Sequence, residues 1–278
     1  MLPSTVELTI NKLTRALQLR VPGLVQSVYL YGSVALDAYV EGTSDIDFVA
    51  IVTRPLTAEL QRGIADAHRD VEAELPKTDL MGAYLQQEQL GLPVSAIRPL
   101  TVYYEKTLHR DGHGADLNPV TWYTLKHYGL CVYGPAVALE YDASIGPLLR
   151  YVFRNMNGYW LGRMRRLEER LGDPNLSCCD SLVQDMMDEA VEWCVLGMLR
   201  QLYTIREHGI TSKLGAGEYG LRIVPAQWRG LIVEAVAIKR REPLRLYESQ
   251  QQRLRELVEL LRYVHAESNR LYEELPAE

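Results

Sequence analysis

Residues 30–52 read LYGSVALDAYVEGTSDIDFVAIV, and this stretch decides both the fold and the chemistry of the chain. A strand-like run ends just before Gly32 and Ser33, which turn the chain into a short helix. Eleven residues after Ser33, Asp45 and Asp47 stand at the start of a second run rich in β-branched residues. Because alternate residues of a strand point to the same side, the two carboxylates should project together.

Phosphoryl chemistry requires an arrangement of this kind. Mg²⁺ prefers oxygen ligands and binds one or two carboxylates together with water and substrate phosphates. Two such ions can hold the attacking and leaving oxygens of an in-line displacement. Gly32 allows close approach of a triphosphate, and Ser33 with the adjoining helix N-terminus offers it donors. An isolated Asp-x-Asp or Gly-Ser is usually a solvated turn, but joined in this order they predict a nucleotidyl-transfer site with Asp45 and Asp47 as metal ligands.

The rest of the chain predicts an α+β fold in two parts. Strand-like runs occupy residues 27–32, 45–52, 77–86 and 101–108, followed by a short extended piece at 131–135. Helical patterns occur among them at 4–19, 57–75 and 120–128, and then take over at 145–171, 180–207, 227–241 and 245–273. We therefore predict an N-terminal domain over residues 1–142 and an all-α bundle over residues 143–278.

Composition limits the partners of the chain. With 278 residues, 47% apolar residues and a formal net charge of −6, the protein should be globular and should repel nucleic acid. A cationic small molecule suits this charge better. The N-terminus has no continuous apolar core, and no apolar run approaches the ~20 residues of a membrane span. We expect a cytoplasmic monomer or weak dimer without a membrane partner.

The thiols and imidazoles do not predict a zinc site. None of the four cysteines has the paired spacing of a zinc or redox motif, so we expect reduced and mostly buried thiols at Cys131, Cys178, Cys179 and Cys194. His109 and His113 lie four residues apart, but the glycines and aspartates around them indicate a loop. We assign no zinc.

Three stretches resemble a known family. Gly-Ser followed after eleven residues by Asp-Ile-Asp resembles the signature of the nucleotidyltransferase superfamily typified by DNA polymerase beta. The chain is more closely similar to the aminoglycoside adenylyltransferases that modify streptomycin and spectinomycin, through NPVTWYTLKHYGLCVYGP (118–135) and GITSKLGAGEYGLRIVP (209–225). The resemblance implies a nucleotidyltransferase domain with a mixed sheet and a C-terminal helical domain, with nucleotide and acceptor between them. It also implies Mg²⁺-dependent transfer of AMP from ATP to an antibiotic hydroxyl, with release of pyrophosphate.

The resemblance assigns residues to the nucleotide. Ser33 and Ser44 match positions that contact the triphosphate. In the helical domain, Arg200 and Lys213 match basic positions that reach the phosphates, and their spacing of thirteen residues agrees with the family pattern.

The resemblance also assigns three carboxylates. Asp45 and Asp47 match the metal ligands, and we expect two Mg²⁺ ions at this site. A third carboxylate on a later strand acts as general base, and Asp79 in KTDLMGAYL is its best match, although close relatives carry Glu there. Glu74 is the alternative base.

The acceptor site is less defined. Relatives that modify streptomycin use a Trp of the N-terminal domain and an acidic residue of a bundle helix. Here no Trp stands near Tyr104, which we take as the candidate contact. The acidic candidates on the helix are Asp185, Asp188, Glu189 and Glu192, whose register the sequence does not decide. Trp122 and Trp193 are expected in the core.

Two other functions stay open at this point. The chain could be a nucleotidyltransferase for another small molecule, such as a lincosamide or a nucleotide, or for a protein hydroxyl. It could also be a non-catalytic binding module that keeps the fold. The intact Gly32, Ser33, Asp45 and Asp47 argue against the second alternative, because a binding module has no physical reason to hold two carboxylates together.

Overall fold

The computed structural model describes residues 1–172 and 181–275. Residue contacts divide the chain into two compact units, Met1–Ser144 and Ile145–Glu278. The first carries all strands of the described residues, and the second is helical. The predicted α+β class, with a mixed sheet in the first part and a helical second part, is confirmed. Within the described residues, no helix is both long and apolar enough to cross a membrane.

The first unit contains four helices and six strands in the part that the structure describes. Its helices are α1 (Ser4–Arg20), α2 (Gly32–Ala35), α3 (Ala58–Glu74) and α4 (Pro119–Tyr128). Its strands are β1 (Val25–Leu30), β2 (Ile46–Val52), β3 (Leu80–Leu85), β4 (Thr101–Tyr104), β5 (Thr107–His109) and β6 (Leu130–Tyr133). Thr57 caps α3 and Asn118 caps α4, each accepting a backbone N–H from the first turn with its side-chain oxygen.

The strands form one mixed sheet in the order β5-β4-β3-β2-β1-β6. β2 and β3 run parallel, and the other neighbouring pairs are antiparallel. This topology brings the start of β2, the start of β3, the end of β1 and the end of β4 to the same edge of the sheet. The two central strands are buried on both faces, as parallel neighbours usually are.

Alternation along β2 assigns its side chains to two cores. Phe48 and its even-numbered neighbours pack with α1 and α3, whereas Val49 and Ile51 pack with Trp122 and Leu125 of α4. Asp47 therefore projects on the side of Val49 and Ile51. Trp122 lies in this core as expected.

The second unit is a bundle. Its described helices are α5 (Ile145–Asn155), α6 (Leu161–Glu168), α7 (Ser181–Val191), α8 (Gly197–Glu207), α9 (Lys213–Ile223), α10 (Arg229–Arg240) and α11 (Gln250–Glu273). Two π-helical turns, Met156–Trp160 and Glu192–Leu196, join α5 to α6 and α7 to α8. The patterns predicted as single helices are thus continuous but locally widened.

A charged cluster lies inside this bundle. Arg253 is fully buried; its Nη1 lies 2.7 Å from Oδ1 of Asp188 and its Nη2 lies 3.1 Å from Oε1 of the equally buried Glu234. Burial raises the pKa of Glu234, and the neighbouring Arg253 opposes that shift. Removing one partner of such a buried ion pair costs about 3–5 kcal/mol, because the other charge is left uncompensated.

Four sequence expectations need correction. Residues 101–108 were expected to form one strand, but Glu105 and Lys106 adopt positive φ angles and fold β4 and β5 into a hairpin. No helix was expected at α9. Trp193 was expected in the core and is 40% exposed. Cys131 is exposed while Cys194 is buried, and Cys178 and Cys179 lie outside the described residues.

Candidate active site

Four predicted site residues meet at one edge of the sheet in the first unit. Asp45 and Asp47 lie just before and just inside β2, and Asp79 lies just before β3. The parallel register continues through this edge, because the N–H of Ile46 donates to the carbonyl of Asp79 at 2.8 Å. Tyr104 ends β4 at the same edge. The structure thus places three carboxylates and one phenol at the same edge of the sheet.

Gly32 and Asp47 fit together closely. Gly32 has a φ of +59°, and a Cβ added there would lie 1.8 Å from Oδ2 of Asp47. Glycine is therefore required both by the left-handed backbone and by the carboxylate that occupies the space of a side chain. The neighbouring N–H of Tyr31 donates to the carbonyl of Asp47 at 3.1 Å, which fixes the end of β1 against the start of β2.

Ser33 follows Gly32 in the chain and carries a hydroxyl without a hydrogen-bond partner among the described residues. Its Oγ is buried. Buried hydroxyls are usually paired, and an orphan indicates a missing ligand or water. By contrast, Ser44 is buried and its Oγ accepts the N–H of Val40 at 3.1 Å, so this side chain also shapes the turn that leads to Asp45.

Negative charge accumulates at the sheet edge. Burial raises the pKa of Asp79 above its usual value, the charge of Asp45 raises it further, and Lys106 opposes both. Burial is also the main cause of the strongly raised pKa of Tyr31, to which Asp47, Asp116 and Asp45 add. Carboxylates that raise the pKa values of their neighbours form a site that attracts a cation.

The same negative charges affect the pKa of Tyr104. Its pKa is raised first by a hydrogen bond with Glu105, then by burial and by the charges of Glu105, Asp79 and Asp45. Gly114 lies against its ring, since a Cβ added there would lie 2.3 Å from Cγ of Tyr104. The phenol is thus held at the edge of the acidic group.

The alternative base Glu74 has different contacts. It is the last residue of α3 and forms an ion pair with Lys12 of α1. Asp79 is the carboxylate whose pKa responds to Asp45. The geometry therefore favours Asp79 as the partner of the paired carboxylates.

Asp45 and Asp47 could hold a magnesium ion only together with ligands from outside the protein. Within residues 1–172 and 181–275, no group of three or more His, Cys, Asp or Glu side chains is arranged to hold a metal ion. Mg²⁺ commonly takes only one or two carboxylates and fills its other positions with water and phosphate oxygens. The pair Asp45 and Asp47 matches that requirement.

In the second unit, two residues predicted to bind opposite charges contact each other. Nζ of Lys213 lies 2.9 Å from Oε1 of Glu192 and 4.4 Å from the centroid of the Trp193 ring. Lys213 opens α9, which Ser212 caps by accepting the N–H of Gly215 at 3.0 Å. The side chains of Lys213 and Glu192 are only 19% and 15% exposed.

The remaining candidate residues separate by environment. Asp188 forms ion pairs with the buried Arg253 and with Arg245, so its carboxylate neutralises cations within the bundle. Asp185 and Glu189 are exposed on α7. Arg200 lies half-buried on α8. Among the acidic candidates, Asp188 is thus engaged inside the bundle and Glu192 is paired with Lys213, whereas Asp185 and Glu189 are exposed.

Several residues of these two groups escaped the sequence reasoning. Lys106 and Asp116 act on the acidic edge only through tertiary proximity, and nothing in their local pattern indicates it. Trp193 donates its Nε1–H to the hydroxyl of Tyr159 at 2.8 Å, across the two π-helical turns. A widened turn has no sequence signature that could have placed these aromatic side chains side by side.

Comparison with protein families assigns both units. Residues 10–107 match the nucleotidyltransferase domain, and residues 177–266 match the C-terminal domain of aminoglycoside adenylyltransferases. The first match contains the acidic edge, and the second contains Glu192, Trp193, Arg200 and Lys213. No curated protein sequence matches the chain.

Among solved structures, the chain is similar to the spectinomycin adenyltransferase AAD(9) from Enterococcus faecialis, crystallised with ATP and spectinomycin. The TM-score is 0.58 with 18% sequence identity, and the alignment covers 91% of this chain and 98% of the other. At this identity the likeness extends to the fold. Both units of the present chain have counterparts in that structure.

Proposed function

We propose that this chain, which belongs to the aminoglycoside adenylyltransferase family of nucleotidyltransferases, transfers AMP from ATP to a hydroxyl of an aminocyclitol antibiotic and releases pyrophosphate. Spectinomycin and streptomycin are the acceptors we propose. The observation that carries the proposal is the close fit of Asp47 against Gly32, next to Asp45 and the orphan hydroxyl of Ser33.

Asp45 and Asp47 would hold Mg²⁺, and two ions are proposed. Bound there, the metal supplies charge stabilisation to the transferring phosphoryl group and orients its oxygens. Ser33 would donate its hydroxyl hydrogen to a phosphate oxygen, which would satisfy its buried Oγ. Ser44 is proposed as a further contact of the triphosphate through the hydrogen of its hydroxyl.

Asp79 is proposed as the general base. Its position beside Asp45, one of the proposed metal ligands, supports this role, and burial raises its pKa, which makes it a better proton acceptor than an exposed aspartate. It would accept the proton of the acceptor hydroxyl as that oxygen bonds to the α-phosphorus and pyrophosphate leaves. Aspartate in place of the Glu of close relatives shortens this reach by one methylene.

The second unit would contribute basic groups to the nucleotide. Arg200 and Lys213 are proposed to bind phosphate oxygens. Lys213 stands in the first turn of α9, where the helix dipole disfavours a cation and favours an anion. A phosphate at this position would satisfy both the ammonium and the helix.

The acceptor carries protonated amines, so carboxylates and aromatic faces should bind it. Tyr104, beside Asp79, and the acids Glu189 and Glu192 of the second unit are the proposed contacts. Spectinomycin is the first acceptor to test, because it is the ligand of the solved structure that shares this fold.

The direct test incubates purified protein and Mg²⁺ with ATP, GTP, CTP or UTP and a panel of spectinomycin, streptomycin, a lincosamide and a protein substrate. The expected result is release of pyrophosphate and an acceptor that gains one AMP, with ATP and an aminocyclitol only. Transfer to the lincosamide or the protein alone would replace the acceptor and keep the chemistry. Absence of transfer with every pair would contradict the proposed function.

A further inference from the structure

In the second unit, Glu192 and Trp193 form a recess that the ammonium group of Lys213 occupies. Its Nζ lies 2.9 Å from a carboxylate oxygen of Glu192 and 4.4 Å from the centroid of the Trp193 ring. A carboxylate beside an aromatic face is the combination by which proteins recognise protonated amines. The recess is therefore defined by a cation that belongs to the chain itself.

One wall of this recess, the ring of Trp193, has contacts that do not involve Lys213. Trp193 donates its Nε1–H to Tyr159 at 2.8 Å, and its ring lies against the buried Trp160 with centroids 6.3 Å apart. Glu192 and Trp193 begin the π-helical turn Glu192–Leu196, and both side chains contact the same ammonium. Turns of this kind occur frequently at functional sites.

The partner of this recess sits where a cation is poorly placed. Lys213 is the first residue of α9, so the N–H groups of the first turn repel its charge, and Glu192 compensates. An anion that reached this helix start would compete with Glu192 for the same ammonium. The pair is therefore poised to exchange partners when an anion arrives.

We propose that Glu192 and the face of Trp193 form a subsite for a protonated amine of the acceptor, and that Lys213 fills this subsite until a nucleotide phosphate withdraws it. The proposal rests on the proposed function, since it takes the phosphate from ATP and the amine from an aminocyclitol. One residue then couples the two substrates: phosphate binding by Lys213 releases Glu192. Because linkage is reciprocal, acceptor at the subsite also favours nucleotide binding.

The test measures spectinomycin affinity by calorimetry without nucleotide. Lys213→Met should bind spectinomycin at least about tenfold more tightly than the unmodified protein, because a hydrogen-bonded ion pair of ~1.5–3 kcal/mol no longer has to be broken. The gain should vanish in the Lys213→Met/Glu192→Gln double variant. Arg262→Met is the matched control, because it removes one cation whose partner is Glu168 rather than Glu192, and its affinity should equal that of the unmodified protein.

A second readout does not require the acceptor. Saturating ATP with Mg²⁺ should change the fluorescence of Trp193 as the ammonium leaves its ring, and the change should be lost in Trp193→Phe and in Lys213→Met. Unchanged spectinomycin affinity in Lys213→Met, or Trp193 fluorescence that does not change when ATP is added, would overturn the proposed subsite. Transfer activity of the unmodified protein would still support the proposed function. Failure of transfer together with an ATP-dependent Trp193 signal would instead reject the acceptor and retain the release of Lys213.

Discussion

The carboxylate of Asp47 fills the space in which any residue other than glycine at position 32 would place its Cβ. The calculated separation of that Cβ from Oδ2 is 1.8 Å, and the backbone of Gly32 has a φ of +59°. The turn after β1 and the proposed metal-binding carboxylate of β2 therefore form one structural feature. The conformation of one determines the position of the other.

Gly32→Ala should separate transfer activity from stability. The left-handed backbone costs about 1–2 kcal/mol for alanine, and the new methyl must also displace Asp47. Gly23→Ala is the matched control, because Gly23 has a φ of +67° but nothing within 4 Å of the added Cβ. Gly32→Ala should lose at least as much stability as Gly23→Ala in urea unfolding, and only Gly32→Ala should lose at least about a hundredfold in turnover. Equal turnover in the two variants would contradict the role of this contact.

Asp45→Asn and Asp47→Asn should each reduce turnover by at least about a hundredfold, because metal ions at such sites stabilise the transition state by several kcal/mol. Without metal, each substitution removes repulsion from an acidic edge, so the free energy of unfolding should stay equal or rise. Steady-state kinetics with Mg²⁺ and urea unfolding in a chelator measure the two effects. A variant that is less stable but turns over normally would exclude its carboxylate as a metal ligand.

The acidic edge was predictable because its geometry is local. Asp45 and Asp47 are separated by one residue, so the strand period alone sets them on one side, and the runs around them are strongly strand-like. The hairpin of β4 and β5 was not predicted, because its two turn residues are Glu105 and Lys106. Both have positive φ angles, for which such turns usually use Asn-Gly.

Tertiary packing determined what the sequence could not show. Helix α9 contains Gly215, Gly217 and Gly220, a composition that predicts weak helix formation. In the fold, a Cβ on Gly217 would lie 2.4 Å from Val236, and one on Gly220 would lie 2.7 Å from Leu199. Glycine here allows close helix packing, and that packing stabilises the helix. The contact of Lys213 with Glu192 depends on the same packing and spans 21 residues.

Asp79→Asn should lower turnover by about 10²–10⁴-fold, the usual contribution of a general base, with little change in ATP affinity. Glu74→Gln is the matched control, since it removes a surface ion pair with Lys12 and should alter stability by no more than about 1 kcal/mol and turnover hardly at all. Turnover and calorimetry of a non-hydrolysable ATP analogue with Mg²⁺ give the two values. An equal loss of ATP affinity in Asp79→Asn would identify a third metal ligand, and loss in Glu74→Gln would move the base there.

The stability of the first unit should depend on pH through His68. This side chain is buried, its ring stacks on Tyr103 with centroids 3.5 Å apart, and its Nε2 lies 2.8 Å from the hydroxyl of Tyr84. Burial lowers the pKa of His68 from 6.5 to about 3. Below pH 6.5 the unfolded chain takes up a proton that the folded chain does not bind until about pH 3, so acid favours unfolding.

From about pH 6.5 down toward pH 3, His68 should therefore reduce the free energy of unfolding by up to about 1.4 kcal/mol per pH unit. His68→Phe should remove that part of the slope, at a pH-independent cost of about 1–3 kcal/mol for the unpaired hydroxyl of Tyr84. Tyr84→Phe is the control: it removes the same hydrogen bond but keeps the imidazole, so it should retain the slope. Urea unfolding followed by the Trp122 signal at several pH values measures all three proteins. If His68→Phe keeps the full acid dependence, His68 is protonated in the folded state and the burial argument fails.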